Sequence, residues 1–166
     1  MLYRVHQFID AIFPHINPSE ITWALNNIPS EACSLFLKQS LTEQRHALSV
    51  AQSIMNEKDT LTPLNFQNLL TAALLHDCGK STVSNRLWHR VFIVIIQKMP
   101  QSIWSQLERG HTVFAAPLKT SSQHAIWGSD LAERAGLNPV ICLLIQEHHS
   151  PKTELGRILE SVDNTH

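Results

Sequence analysis

The sequence has few of the features that mark secreted, membrane-spanning or disulfide-stabilised proteins. Its three cysteines, Cys33, Cys78 and Cys142, are far apart and show no Cys-x-x-Cys spacing, which argues for reduced thiols rather than a disulfide framework. The longest apolar run, residues 91–96, is far short of the roughly 20 residues that a membrane helix requires. The first ten residues lack the apolar core of a signal peptide. We therefore expect a cytoplasmic protein that does not cross a membrane.

Charge is also sparse, and its two signs are balanced. Charged residues make up 16% of the 166 residues, and the formal net charge is −1. A protein with this balance has no overall positive charge with which to attract nucleic acid or an anionic membrane. Hydrophobic residues account for 43% of the chain, enough for a sizeable core, so we expect one domain spanning residues 1–166. The oligomeric state is left open.

Strand signals are missing as well, and the chain is predicted to be all-α. No hairpin dipeptide joins segments of alternating hydrophobicity, whereas proline, glycine and asparagine separate stretches with helical periodicity. Helices are predicted to start near Pro18 and near Pro29, and a third at Thr42, which would carry His46 on its core-facing side. Further helices are predicted at residues 64–77, 86–99, 101–109, 121–135, 139–149 and 153–164. Residues 111–120 have no clear period and are predicted to form a loop over a site.

Histidine, by contrast, is abundant, with ten residues in the chain. The pair His76-Asp77 directly follows the apolar run 69–75, so an imidazole and a carboxylate lie at the edge of the core. Burying either group without a partner is costly. A divalent metal ion is a suitable partner for both groups, although such a pair taken alone is more often a polar contact at a helix end.

Further positions extend this pair into an ordered set of histidines and aspartates. They are His46 upstream, and His124, His148-His149 and Asp163 downstream. With its surroundings, above all the segments 72–80 and 123–137, this set resembles the HD superfamily of metal-dependent phosphohydrolases over roughly residues 40–163. The resemblance implies an HD-domain helical bundle, with a core at residues 41–166 and an N-terminal helical extension at residues 1–40.

The resemblance also implies a set of metal ligands. For a single ion the implied ligands are His46, His76, Asp77 and Asp163. Adding His124 and His148 provides for a second ion, with Asp77 bridging the two. Six ligands favour two divalent ions, of iron, manganese, magnesium, zinc or a similar metal. Of the two neighbouring histidines, His148 is taken as the ligand and His149 as a contact outside the ligand set, and the reverse assignment stays open.

The reaction implied by the resemblance is hydrolysis of a phosphomonoester or phosphodiester, expected to be a nucleotide, by water activated at the metal. Lys80 is predicted to contact the substrate phosphate, and His149 or Glu147 to carry a proton. Arg86 and Arg90 are one helical turn apart, and they either bind substrate beside Lys80 or form an ordinary exposed face. The predicted catalytic residues are Asp77, Lys80 and His149.

Two other functions remain open from the sequence. Some HD-fold proteins with mixed-valence di-iron centres are oxygenases that use the same six ligands, so the ligand set does not exclude O₂ chemistry. A non-catalytic module, which senses a nucleotide or docks a partner through the N-terminal helices, is the other alternative. The chain lacks the Gly-Tyr-Pro sequence of the cyclic-di-GMP branch of the superfamily, which argues against that substrate.

Overall fold

The fold is built from helices alone in the part of the chain that the computed structural model describes, residues 15–82 and 115–166. No strand occurs in these two ranges, and the all-α prediction is confirmed. The helices are α1 (Pro18–Asn26), α2 (Ser30–Leu37), α3 (Leu41–Ile54), α4 (Pro63–Leu75), α5 (Ala115–Arg134), α6 (Pro139–Glu147) and α7 (Glu154–Asp163), with short 3₁₀ turns at Met55–Glu57 and Cys78–Thr82. Arg86, Arg90 and the helices predicted at 86–99 and 101–109 lie outside the described residues.

Side-chain caps set the first residues of the N-terminal helices. Asn17 caps α1, as the sequence predicts. Helix α3 begins one residue before Thr42, because Ser40 is its cap: the Ser40 side chain accepts from the Glu43 backbone N–H, and the Glu43 carboxylate accepts from the Ser40 N–H at 3.0 Å. This reciprocal pairing needs an acceptor side chain three residues after the cap. With Thr42 as the cap, the residue three positions later is Arg45, whose side chain only donates, so the start predicted at Thr42 is wrong.

Helix α5 includes residues ahead of the predicted start at residue 121. Residues 115–120 are helical, so the loop predicted at 111–120 is wrong for this part, and residues 111–114 lie outside the described ranges. The helix stops before Gly136, whose φ of 79° is the left-handed conformation of a helix C-terminus.

Helix α4 is the central element of the core. Nine of its residues are buried, among them Leu69, Leu70, Leu74 and Leu75, which are fully buried. Burial of a leucine side chain stabilises a fold by roughly 2 kcal/mol, and α4 packs against α3, α6, α7 and α2. The C-terminal end of α4 is therefore held firmly, and it is where His76 follows.

Membrane spans and disulfide bonds were both expected to be missing. None of the helices in the two ranges is long and apolar enough to span a membrane. The three cysteines, Cys33, Cys78 and Cys142, are free thiols.

Candidate metal centre

The pair His76-Asp77 sits where α4 ends and the 3₁₀ turn Cys78–Thr82 begins. The backbone of α5 packs directly on this turn. A Cβ atom at Gly79 would overlap with the carbonyl oxygen of His124 and would lie 2.6 Å from the backbone nitrogen of Gly128. Only glycine at position 79 permits this approach, which brings α5 and His124 beside Asp77. Gly128, in mid-helix, is a part of this contact that sequence reasoning missed, although a glycine inside a helical pattern is itself a signal of close packing.

One cluster consists of His46, His76 and Asp77, hereafter the His76 group, whose ligand atoms lie within 4.8 Å of one another. Asp163, the last residue of α7, joins it from the opposite side. The Asp163 Oδ1 atom is 2.7 Å from His46 Nε2 and 3.4 Å from His76 Nε2. His76 Nε2 is in turn 3.6 Å from Asp77 Oδ2. Residues from α3, the end of α4 and α7 thus meet at one point.

A second cluster consists of His124, His148 and His149, hereafter the His148 group. The Nε2 atom of His124 lies 3.3 Å from that of His148 and 3.0 Å from that of His149. Asp77 also faces this group, because its Oδ1 atom is 3.4 Å from His124 Nε2 and 4.0 Å from His148 Nε2. The Asp77 carboxylate therefore lies between the two groups, with one oxygen toward each.

Backbone carbonyl groups orient three of these imidazoles. The Nδ1 atoms of His76, His124 and His148 lie 2.9, 3.0 and 2.7 Å from the carbonyl oxygens of Ala73, Thr120 and Ile145. A carbonyl only accepts, so each Nδ1 must carry the proton and donate it. The Nε2 atoms then point into the centre, which is the arrangement that prepares a histidine to bind metal.

The donor atoms of the His148 group fit a cation. With Nδ1 protonated, neutral His124 and His148 direct two Nε2 lone pairs at each other across 3.3 Å. Two imidazole nitrogens that bind one ion at about 2.1 Å lie ~3.0–3.4 Å apart at tetrahedral or octahedral angles, which is the observed spacing. In the His76 group, the Nε2 atom of His76 is buried and makes no hydrogen bond of normal geometry within the described residues. Both groups therefore suit a divalent metal.

The two aspartates are held in the ionised form that binds metal. Burial by itself would raise the pKa of Asp77, but the Lys80 ammonium and the imidazoles of His76 and His124 outweigh it and hold that pKa well below its usual range. Burial likewise opposes ionisation of Asp163, but the hydrogen bonds and charges of His46 and His76 together outweigh it and lower the pKa. Burial also disfavours a charged His76, yet Asp77, Asp163 and the Ala73 carbonyl together outweigh it and raise the pKa of His76. A metal ion in the His76 group would thus compete with a proton for His76.

We expect the chain, freed of metal by a chelator, to lose stability as the pH falls from about 6.5 to about 4. Burial lowers the pKa of His124 to about 4 and that of His148 to about 3, whereas a histidine in an unfolded chain titrates near 6.5. The unfolded chain therefore binds more protons in this window, and acid favours it. His76 does not oppose the trend, because a raised folded pKa gives its full stabilisation everywhere below 6.5.

Chemical denaturation at pH 7 and pH 4.5 measures this effect. The free energy of unfolding should fall by on the order of 3 kcal/mol. Replacing His124 with asparagine, which does not titrate, should flatten the dependence. An unfolding free energy that stays constant over this range would contradict the assignment of His124 and His148 as buried neutral imidazoles.

Lys80 contacts Asp77 directly. Its Nζ atom donates to Asp77 Oδ2 at 2.6 Å, and its side chain is 30% exposed. The Lys80 ammonium therefore lies on the carboxylate between the two groups. Lys80 is thus at the centre and open to solvent on one side.

Both neighbouring histidines reach the centre, although the helix predicted at residues 139–149 would direct only one of the two rings inward. That expectation assumed a helix through residue 149, but α6 ends at Glu147 and His148 is its C-cap. In the turn that follows, the rings of His148 and His149 lie side by side, 3.9 Å between centroids. His148 is fully buried and His149 is exposed on its outer side. Both oxygens of Glu147 are engaged in hydrogen bonds with residues 152 and 153, which leaves His149 as the candidate for carrying a proton.

Comparison with known proteins agrees with this geometry. The family model of the HD domain matches residues 44–166, which include all six sequence-predicted ligands. No curated protein and no solved structure matches the chain. The match covers well over half of the chain, from α3 to the end of α7, and together with the all-α architecture it shows that this protein belongs to the HD domain family.

Proposed function

We propose that the chain is a metal-dependent phosphohydrolase that holds two divalent ions and acts on a phosphoester, a nucleotide in particular. The observation that carries the proposal is the position of Asp77. Its Oδ2 atom faces His76 and its Oδ1 atom faces His124, so one ionised carboxylate serves two groups of imidazoles. A carboxylate shared in this way is suited to two neighbouring ions, as in two-metal phosphoryl-transfer sites.

The donors divide between the two groups. The proposed ligands are His46, His76, Asp77 and Asp163 for one ion, and Asp77, His124 and His148 for the other. When bound, two such ions supply an activated water nucleophile and polarise a phosphoryl oxygen. Imidazole and carboxylate donors accept iron, manganese and zinc, and the set does not select one of them.

The remaining polar groups of the site are assigned to substrate and proton. The Lys80 ammonium, 2.6 Å from Asp77 Oδ2 and partly exposed, is placed to neutralise charge on a phosphate that approaches the centre. Burial lowers the pKa of His149, so its imidazole is neutral near pH 7 and able to take up a proton. Its exposed outer side gives it access to solvent.

Metal quantification on the purified chain, followed by a panel of phosphomonoesters, phosphodiesters and nucleotides, tests the proposed activity. We expect about two ions per chain and metal-dependent phosphate release from at least one nucleotide. Two irons with an O₂-dependent spectrum and no phosphate release would instead identify an oxygenase. Full metal occupancy with nucleotide binding and no turnover would identify a sensing module.

A separate prediction concerns the number of ions. His124→Ala or His148→Ala should lower the metal content by about one ion per chain and leave the fold intact, because only the His148 group loses a donor. His15→Ala is the matched control, since His15 is exposed and outside both groups. Metal analysis on the three variants measures the result. Unchanged metal content in both His124→Ala and His148→Ala would mean a mononuclear site.

We also propose that the N-terminal extension, residues 1–40, and the HD core, residues 41–166, form one domain. Ala24, Ala32 and Phe36 of the extension are fully buried in the same cluster as the leucines of α4. Arg45 of α3 reaches back to Glu20 of α1, with 2.7 Å between Nη1 and Oε1. Such shared burial supports a single cooperative unit.

A further inference from the structure

Glu147, the last residue of α6, carries a buried carboxylate. This carboxylate faces the start of α7. Its Oε2 atom accepts from the Lys152 backbone N–H at 3.0 Å, and its Oε1 atom accepts from the Thr153 N–H at 3.2 Å. The Thr153 hydroxyl also donates to Oε1. Thr153 is the N-cap of α7, so the carboxylate lies at the positive end of that helix.

These hydrogen bonds close a loop of the chain around the two neighbouring histidines. The Ser150 N–H donates to the Glu147 carbonyl oxygen at 2.8 Å, which tightens the first half of the turn. The side chain of Glu147 then ties the second half, residues 152 and 153, back to the end of α6. His148 and His149 are enclosed between these two ties, and their rings are the ones that meet His124.

The fit around the carboxylate is tight on the α7 side as well. A Cβ atom at Gly156 would overlap with Oε1 of Glu147 and would lie 2.9 Å from Thr153 Oγ1. The absence of a side chain at residue 156 therefore leaves the space that the Glu147 carboxylate occupies. A steric change at this position can displace the carboxylate without altering its charge.

From this geometry we infer that Glu147 is a positioning residue for the His148 group. It holds the turn at residues 147–153 in the shape that directs both imidazoles at His124, and it touches neither substrate nor ion. The inference rests on the proposed function, because it assigns the second ion to that group. It predicts that weakening the hydrogen bonds of the Glu147 carboxylate lowers the affinity for the second ion and leaves the affinity for the first ion unchanged.

Titration of the metal-free chain with Co²⁺ tests the inference. Glu147→Gln keeps the shape of the side chain but turns one acceptor oxygen into a donor, which cannot satisfy the backbone N–H groups of residues 152 and 153. We expect the affinity for the second Co²⁺ ion to fall ~10- to 100-fold, as when an outer-shell partner of a ligand is removed. The first ion should bind as in the unaltered chain. Gly156→Ala, which crowds the carboxylate, should weaken the same ion.

Glu154→Gln is the matched control. Glu154 is exposed in the first turn of α7, and its replacement removes the same charge. The control therefore distinguishes loss of the Glu147 hydrogen bonds from a general effect of charge at the helix terminus. Equal second-ion affinities in Glu147→Gln and Glu154→Gln would overturn the inference. Loss of the helical circular dichroism signal in Glu147→Gln would overturn it too, because Glu147 would then be needed by the whole fold.

A readout without metal distinguishes failure of this inference from failure of the proposed function. In metal-free protein, the imidazole NMR signals of His148 and His149 should shift in Glu147→Gln and stay in place in Glu154→Gln. If the unaltered chain binds one ion only while these signals shift as expected, the two-ion function fails and the positioning role stands. If two ions bind and the signals do not shift, the positioning role fails.

Discussion

Replacing Asp77 with asparagine is expected to remove both of the proposed metal ions and, with them, all metal-dependent activity. The substitution keeps the size of the side chain but removes the charge that the two groups share, one oxygen facing His76 and the other His124. His76→Ala should have the same effect on the ion of its own group. In the proposed function the ions would supply the nucleophile and the electrostatic stabilisation, so we expect kcat/KM to fall by at least ~10³-fold.

Metal analysis beside steady-state kinetics checks this prediction. Asp130→Asn is the matched control, since Asp130 lies on α5 with His124 but is exposed. Circular dichroism should show that Asp77→Asn remains helical, because the leucines of α4 keep their burial. Unaltered metal occupancy in a folded Asp77→Asn chain would refute the assignment of Asp77 as the shared ligand.

Lys80→Ala is expected to spare metal binding and to slow catalysis strongly. Removing the ammonium frees Asp77 Oδ2, to which it donates at 2.6 Å, so the carboxylate stays available to the ions. The chain would lose a charge-assisted contact to the phosphate that strengthens as the phosphoryl group transfers. The cost should be roughly 10²- to 10³-fold in kcat/KM, or about 3 to 4 kcal/mol.

The comparison variant for this prediction is Lys58→Ala. Lys58 is an exposed lysine that directly follows the 3₁₀ turn Met55–Glu57 after α3. Both variants are assayed for metal content and for turnover of the best substrate in the panel. If Lys80→Ala turns over as fast as Lys58→Ala, Lys80 is a partner of Asp77 alone and has no role toward substrate. A loss of metal in Lys80→Ala would show that it supports the carboxylate instead.

Helix starts that are marked by strong local signals were predictable from sequence. Asn17 with Pro18, and Pro139 after Asn138, mark helix starts that the structure confirms, because capping and proline geometry act within a few residues. The start of α5 was predicted too late, because residues 115–120 were placed in a loop although they are helical. Local composition alone did not distinguish a loop from a helix at these residues.

The sequence by itself determined the chemical inventory of this protein: six histidines and aspartates in an order that identifies the family, on an all-α chain. That much follows from residue types and spacing along one dimension. The tertiary structure decided what the spacing could not. Asp163 meets His46, 117 residues earlier, at 2.7 Å, and Asp77 lies between two groups because α5 packs on the backbone of Gly79. The turn after α6 also brings His149 to the centre beside His148, since α6 ends at Glu147. Contacts of this kind depend on how helices pack and where they stop, and packing is set by the whole core rather than by any one segment.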